Sequence, residues 1–206
     1  SESYSFIIND VIGNAINPYE LNISTTVDFS IGLGEGWNWF SINVTESDMG
    51  LGTVLNSLGD DGIFIKGLDA SSYYYPDFGW YGSLETIDIT QMYKLQMVNN
   101  GSIDFTGYPI DPADYPINLG EGWNWIGYLP QNSGNIGDAL NTIGESGVFI
   151  KNLDVSSYFY SDFGWYGSLE NMYPGDGYML QVSESAELIY PNFEDSDELV
   201  RIDQNK

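Results

Sequence analysis

The sequence predicts a β-rich α+β fold. It expects two tandem copies of a small module, each a mainly antiparallel sheet with one amphipathic helix. Three observations carry this: a long internal duplication, period-two alternation of apolar residues, and one helical stripe that recurs in both copies.

The duplication comes first. Leu33-Gly34-Glu35-Gly36-Trp37-Asn38-Trp39 returns 86 residues on as Leu119-Gly120-Glu121-Gly122-Trp123-Asn124-Trp125. After a one-residue gap, Ile63-Phe64-Ile65-Lys66 is matched by Val148-Phe149-Ile150-Lys151. Residues 68–85 match 153–170 at 15 of 18 positions, so these segments share one local structure. The copies span 28–106 and 114–191. The segment 107–113, with Pro109 and Pro112, is the linker. Residues 1–27 read as a β-hairpin or the end of an upstream domain, with a turn at Asn9-Asp10 and Gly13-Asn14. Residues 192–206 read as an acidic linker or tail.

Within copy one, 29–33 is a short strand and 37–44 a second. In the latter Phe40, Ile42 and Val44 share one face, and Trp37, Trp39, Ser41 and Asn43 the other. Asp48 is placed to cap a helix of about two and a half turns. Leu51, Val54, Leu55 and Leu58 form its stripe and Gly59 its stop. Copy two repeats this with Ser133 as cap, Ile136, Ala139, Leu140 and Ile143 as stripe, and Gly144 as stop. Strands follow at 63–68, 73–75, 80–84, 93–98 and 102–106. A module of about 80 residues has a marginal core. That favours packing of the copies about a pseudo-twofold axis.

Charge then excludes whole classes of function. Thirty acidic and five basic side chains give a net charge of −25. Five cations cannot neutralise a nucleic-acid backbone, and an anionic membrane surface is repelled. The chain has no Cys and no His. Disulfides, thiolate nucleophiles, imidazole metal sites and Ser-His-Asp triads are therefore unavailable. Any metal would sit on oxygen ligands, with Ca²⁺ the natural candidate, although no Asp-x-Asp-x-Asp-Gly loop is present. Aromatic content of 16% marks a folded chain, not an acidic disordered one. No apolar run reaches the ~20 residues of a membrane helix. The chain is expected to be a mature form or a fragment of a larger protein.

All six Trp fall at twinned positions: 37/123, 39/125 and 80/165. The densest segment, 73–82, holds six aromatic residues. One face of a strand cannot bury them all, because side chains alternate. Flat rings beside carboxylates and hydroxyls suit carbohydrate. The candidate ligand residues are Tyr73, Tyr75, Asp77, Trp80 and Tyr81, with their twins Tyr158, Tyr160, Asp162, Trp165 and Tyr166. The same rings could instead cap their own domain or join the copies. Lys66 and Lys151 each precede an acid by three residues, Asp69 and Asp154, a spacing open to a local ion pair or to ligand contact. Paired carboxylates could run glycoside hydrolysis without His. A duplicated small module, however, rarely builds the deep cleft this needs, so the reading is non-enzymatic.

The Gly-Trp-Asn start, the aromatic segment and the ending Pro174-Gly175-Asp176-Gly177-Tyr178-Met179-Leu180-Gln181 resemble a module that recurs in secreted and cell-surface proteins of bacteria and archaea. The resemblance covers 28–191. Copy one departs from it at Asp88-Ile89-Thr90-Gln91-Met92, where the Gly-rich turn should be. It implies an extracellular, modular setting, fused to a larger protein, and no particular reaction. Similar modules carry Leu or Ile where Trp39 and Trp125 stand, which implies a buried role for these two. The expected function is a carbohydrate-binding or adhesion module. Its ligand is a neutral glycan, since an anionic one would need a bridging cation such as Ca²⁺. The alternative is a structural or assembly module that binds protein partners.

Overall fold

Period-two alternation makes most of this chain strand. Along Tyr93–Met97, Tyr93, Leu95 and Met97 are buried while Lys94 and Gln96 stay half-exposed. The computed structural model describes residues 2–9, 15–23 and 25–193. Strand accounts for 48% of residues and helix for 14%, so the fold is β-rich with several antiparallel sheets. Most of the turn expected at 9–14, and the whole acidic block 194–198, lie outside the described residues.

Strands β1 (Glu2–Asn9) and β2 (Ala15–Ile23) pair antiparallel, with Glu2 opposite Ile23 and Asn9 opposite Ala15. The first repeat supplies β3 (Val27–Leu33), β4 (Gly36–Phe40), β5 (Val44–Thr45), α1 (Leu51–Val54), β6 (Gly62–Lys66), β7 (Ser71–Tyr75), β8 (Gly79–Gly82), β9 (Tyr93–Met97) and β10 (Gly101–Pro109). The second supplies β11 (Ile117–Leu119), β12 (Gly122–Gly127), β13 (Gly134–Asn135), α2 (Ile136–Ala139), β14 (Gly147–Lys151), β15 (Ser156–Tyr160), β16 (Gly164–Gly167), β17 (Asn171–Met172), β18 (Gly177–Val182) and β19 (Ala186–Leu188).

Each repeat holds a five-stranded sheet, ordered β4-β9-β6-β7-β8 in the first and β12-β18-β14-β15-β16 in the second. Every neighbouring pair is antiparallel, and the registers correspond: Trp37 faces Gln96, and Trp123 faces Gln181. β3 pairs with β10 beside the first sheet, as β11 does with β19 beside the second. The linker segment 107–113 is strand and turn. β10 runs on to Pro109 and pairs with β5, and Asp111 then caps a 3₁₀ turn at Pro112–Asp114.

The inner face of each sheet packs on its helical segment. Phe40, Ile65, Tyr93, Leu95 and Met97 meet Leu51, Val54, Leu55 and Leu58 in the first repeat. Ile126, Ile150, Tyr178, Leu180 and Val182 meet Ile136, Ala139, Leu140 and Ile143 in the second. Each fully buried aliphatic chain contributes about 1.5–3 kcal/mol before entropy is set against it. The stripes are buried as expected, but the helices are shorter. α1 and α2 have four residues each and pass into 3₁₀ turns at Asn56–Asp61 and Asn141–Ser146. Gly52 and Gly137 sit inside them and weaken them. Gly59 and Gly144 close them at φ +52° and +51°. The caps also move. Gly50 is the first N-cap, and Asp48 instead accepts from Gly50 N and Thr53 Oγ1. Asn135, not Ser133, caps α2 by accepting from Gly137 N.

The strand expected at 37–44 breaks after Phe40, because residues 41–43 turn to bond the other repeat. Ser41 N donates to Gly175 O and Ser41 Oγ to Asp176 O, while Tyr128 N donates to Ser41 Oγ. Asn43 Nδ2 donates to Pro130 O, and Gln131 Nε2 donates to Asn43 O. In the opposite direction, Gly127 N donates to Thr90 O. Ile89 belongs to the second repeat's core, and Met49 packs against both cores.

Candidate functional site

Alternation in β7 sends Tyr73 and Tyr75 outward and Ser72 and Tyr74 inward. Phe78 N donates to Tyr75 O, and Gly79 adopts φ +77°, so the chain folds straight back into β8. Tyr81 then lies opposite Tyr73, and Trp80 opposite Tyr74. Registers across the sheet align Trp37, Gln96, Phe64, Tyr73 and Tyr81 in one row over five strands. The row spans roughly 19 Å at ~4.8 Å per strand. Trp37, Tyr73 and Tyr81 are 45%, 56% and 77% exposed, so the row faces solvent. Trp37 meets Phe64 edge-on at 6.0 Å, and Phe64 meets Tyr73 at 4.5 Å, tilted by 43°. In the second sheet Trp123, Gln181, Phe149, Tyr158 and Tyr166 repeat the row, with ring spacings of 5.8 and 4.4 Å.

Of the expected ligand residues, Tyr73, Tyr75 and Tyr81 share this face, as do Tyr158, Tyr160 and Tyr166. Asp77 and Asp162 are exposed at the hairpin tips. Trp80 and Trp165 are not part of the patch. Each is half-buried on the inner face, against Tyr74 at 5.3 Å and Phe159 at 5.4 Å. Each also covers a glycine, Gly62 or Gly147, where a side chain would meet the ring. The reason is register: a residue opposite the inward-facing Tyr74 or Phe159 must itself point inward. Trp165 lines a groove of about 510 Å³ between β16 and α2, with Phe163, Leu140 and Glu170. A matching groove of about 450 Å³ lies beside Trp80.

Sequence reasoning missed Phe64, Gln96, Phe78 and their twins, and did not place Trp37 among the ligand residues. Trp37's face was readable from alternation; its alignment with Phe64 needs the strand order. Phe78 is 87% exposed at its hairpin tip. Phe163, its twin, stacks on Tyr160 at 4.9 Å and meets Tyr166 edge-on at 6.1 Å.

A second constellation lies two residues along the same faces. Trp39, Lys94, Lys66 and Ser71 form the neighbouring row, with Trp125, Met179, Lys151 and Ser156 as its twin. These rows meet where the repeats touch. Lys94 Nζ lies 3.9 Å from the Trp39 ring centre and 4.4 Å from that of Trp125. Lys66 reaches Trp125, and Lys151 reaches Trp39, each at 5.4 Å. The local ion pairs with Asp69 and Asp154 are not formed; Lys66 and Lys151 turn to the other repeat's indole instead. Desolvation first, then the charges of Lys66 and Lys151, hold the Lys94 ammonium below the usual lysine range.

Elsewhere two buried tyrosines serve the cores. Tyr93 Oη accepts from Asp88 N, and burial pushes its pKa up to about 12. Its twin Tyr178 accepts from Tyr173 N and is likewise raised by burial. Asp176 beside it is raised, chiefly by desolvation, against the pull of hydrogen bonds from Asn152 and Tyr178. Among the described residues no three acidic side chains cluster closely enough to hold a metal ion. The rows offer aromatic faces, phenolic hydroxyls and one carboxamide, which is the chemistry of binding by stacking and hydrogen bonding. The chain matches no family model, no curated protein and no solved structure.

Proposed function

We propose that this chain is a non-catalytic, extracellular carbohydrate-binding or adhesion protein. In this reading it is built from two tandem modules packed about a pseudo-twofold axis and fused to a larger cell-surface protein. The observation that carries the reading is the solvent-facing aromatic row, which recurs in the same register on both sheets. Large rings in rows normally go to a core. Here two of them are more than half exposed in each repeat, Tyr73 and Tyr81 in the first, Tyr158 and Tyr166 in the second. The 89° angle between Trp37 and Phe64 gives a ridged surface, not a flat platform. A ridge favours a single soluble glycan chain, each ring taking the C–H face of one sugar. Gln96 and the tyrosine hydroxyls supply hydrogen bonds. No cation lies within the aromatic row, and a neutral glycan suits it. The reciprocal bonds from Ser41 to Gly175 and from Gly127 to Thr90 support the twofold arrangement.

A second reading, assembly with a protein partner, is favoured by Phe78. Among the described residues it is the most exposed large apolar one, and it has no polar atom to bond a sugar. A glycan array separates the two readings. Wild type is expected to retain a subset of neutral oligosaccharides, and the Tyr73→Ala/Tyr158→Ala variant to lose them. Wild type that binds no glycan, while Phe78→Ser/Phe163→Ser abolishes self-association, would favour assembly.

A further inference from the structure

Lys66, Lys94 and Lys151 are three of the chain's five cations, and Arg201 and Lys206 lie outside the described residues. All three converge on Trp39 and Trp125 at the junction of the repeats. With 30 acidic residues in the chain, counter-ions should be easy to find. Yet among the described residues no carboxylate oxygen lies within the 4.0 Å of an ion pair from any of the three. The indole faces compensate only in part, since two rings serve three ammonium groups. Lys94 also touches Met179 Sδ at 3.6 Å, a weak acceptor. All three lysines are half-exposed, so water and solutes reach them. Every ammonium keeps N–H donors that the rings do not use. Such a cluster is unfavourable by itself and becomes favourable once an anion lies among the charges.

We propose that Lys66, Lys94 and Lys151 bind a single carboxylate or sulfate group at the junction, with Trp39 and Trp125 flanking it. The acidic surface repels polyanions in general; this cluster is the local exception. It also removes the need for a bridging Ca²⁺ in recognising an acidic ligand. The lysine row runs beside the aromatic row on the same face, about 7 Å away at two residues per strand. A uronic acid or sulfated sugar lying on the rings could therefore place its anion on the lysines. A free anion could occupy the same place.

Tryptophan fluorescence reports directly, because the ammonium groups lie on two indoles. Sodium sulfate is titrated against sodium chloride at matched ionic strength. Wild type is expected to show a saturable change with sulfate and none with chloride. Lys94→Met installs the residue found at the twin position, and is expected to weaken the response about tenfold, the loss of one charge-assisted hydrogen bond. Lys66→Gln and Lys151→Gln read the same site should Lys94→Met fold poorly. Superimposable sulfate and chloride curves would overturn the proposal, as would an unchanged response in folded Lys94→Met and both Gln variants. Glucuronate against glucose then identifies the source. Glucuronate that binds more tightly than sulfate, and is weakened by Trp37→Ala, supports the site with the anion carried on a sugar. Equal binding that is insensitive to Trp37 supports it as a site for free anions. The sulfate titration stands whether or not the aromatic rows bind a neutral glycan.

Discussion

Ser41 shows how one hydroxyl can join two repeats. It is fully buried, donates through Oγ to Asp176 O and accepts from Tyr128 N across the junction. Its twin is Gly127, where an added side chain would collide with the backbone carbonyl of Ile89 and crowd that of Gln91, with Ser41 Cβ at 3.3 Å. One repeat therefore supplies the hydroxyl, while the other keeps a glycine so that the two backbones can approach. Ser41→Ala leaves Tyr128 N buried without its acceptor and is expected to cost about 1–3 kcal/mol in denaturant unfolding. An unchanged midpoint would place the joint elsewhere. Asp176 makes a pH-dependent contribution of the opposite sign to that of an ion-paired acid. Burial raises its folded pKa above the unfolded value, despite hydrogen bonds from Asn152 at 3.3 Å and Tyr178 at 3.2 Å. The folded state thus binds the proton more tightly than the unfolded state. This contribution is present below the unfolded pKa, about 4, and is lost as pH rises through the folded value. Asp176→Asn keeps an acceptor for both donors without the charge. It is expected to melt higher than wild type at neutral pH, with the difference closing as pH falls below about 4. A difference that does not change with pH would contradict this.

At the scale of elements, the hairpins β7–β8 and β15–β16 hold the rows in place. Gly82 and Gly167 permit this. A side chain at either would collide with the carbonyl of Ser71 or Ser156 and crowd Ser72 or Ser157 Oγ. Gly82→Ala and Gly167→Ala are expected to splay the hairpins and destabilise by more than about 1 kcal/mol, read as a lower denaturation midpoint. Strands and helix stripes were legible in the sequence, because alternation and the i, i+3, i+4 pattern are local and each was seen twice. The helix length was not: Gly52 and Gly137 shorten segments whose stripes continue as 3₁₀ turns. Nor was the break after Phe40, since Ser41 and Asn43 leave the sheet for partners 87 to 135 residues away. The site was half legible. Tyr73 and Tyr75 share a face by alternation alone. Which of the neighbours Trp80 and Tyr81 faces out is set only by the pairing of β8 with β7, Trp80 opposite Tyr74 and Tyr81 opposite Tyr73, and Phe64 joins the row only through the order β4-β9-β6-β7-β8. Cross-strand register is a long-range property, and one sequence carries little of it.

For the whole molecule the charge of −25 dominates. Among the described residues no acid lies within ion-pair distance of a lysine, so added salt has little attraction to screen and much repulsion. The melting temperature is expected to rise from low to moderate ionic strength, and a flat profile would count against it. On the proposed reading the same field would favour neutral ligands on the aromatic rows, and the lysine junction would be the place for an anion among the described residues. Two rows on one chain would bind a repeating glycan by avidity, with each site weak alone. Calorimetric titration with the neutral oligosaccharide best retained on an array, in wild type and in Tyr73→Ala, Tyr158→Ala and the double variant, reads this directly. Each row should lose about 2 kcal/mol of binding when its tyrosine is removed, about thirtyfold in Kd. With an oligosaccharide too short to span both rows, each single variant is expected to halve the number of sites per chain, the double variant to bind nothing measurable, and none to shift the melting temperature. Wild-type stoichiometry and affinity in the double variant would contradict this.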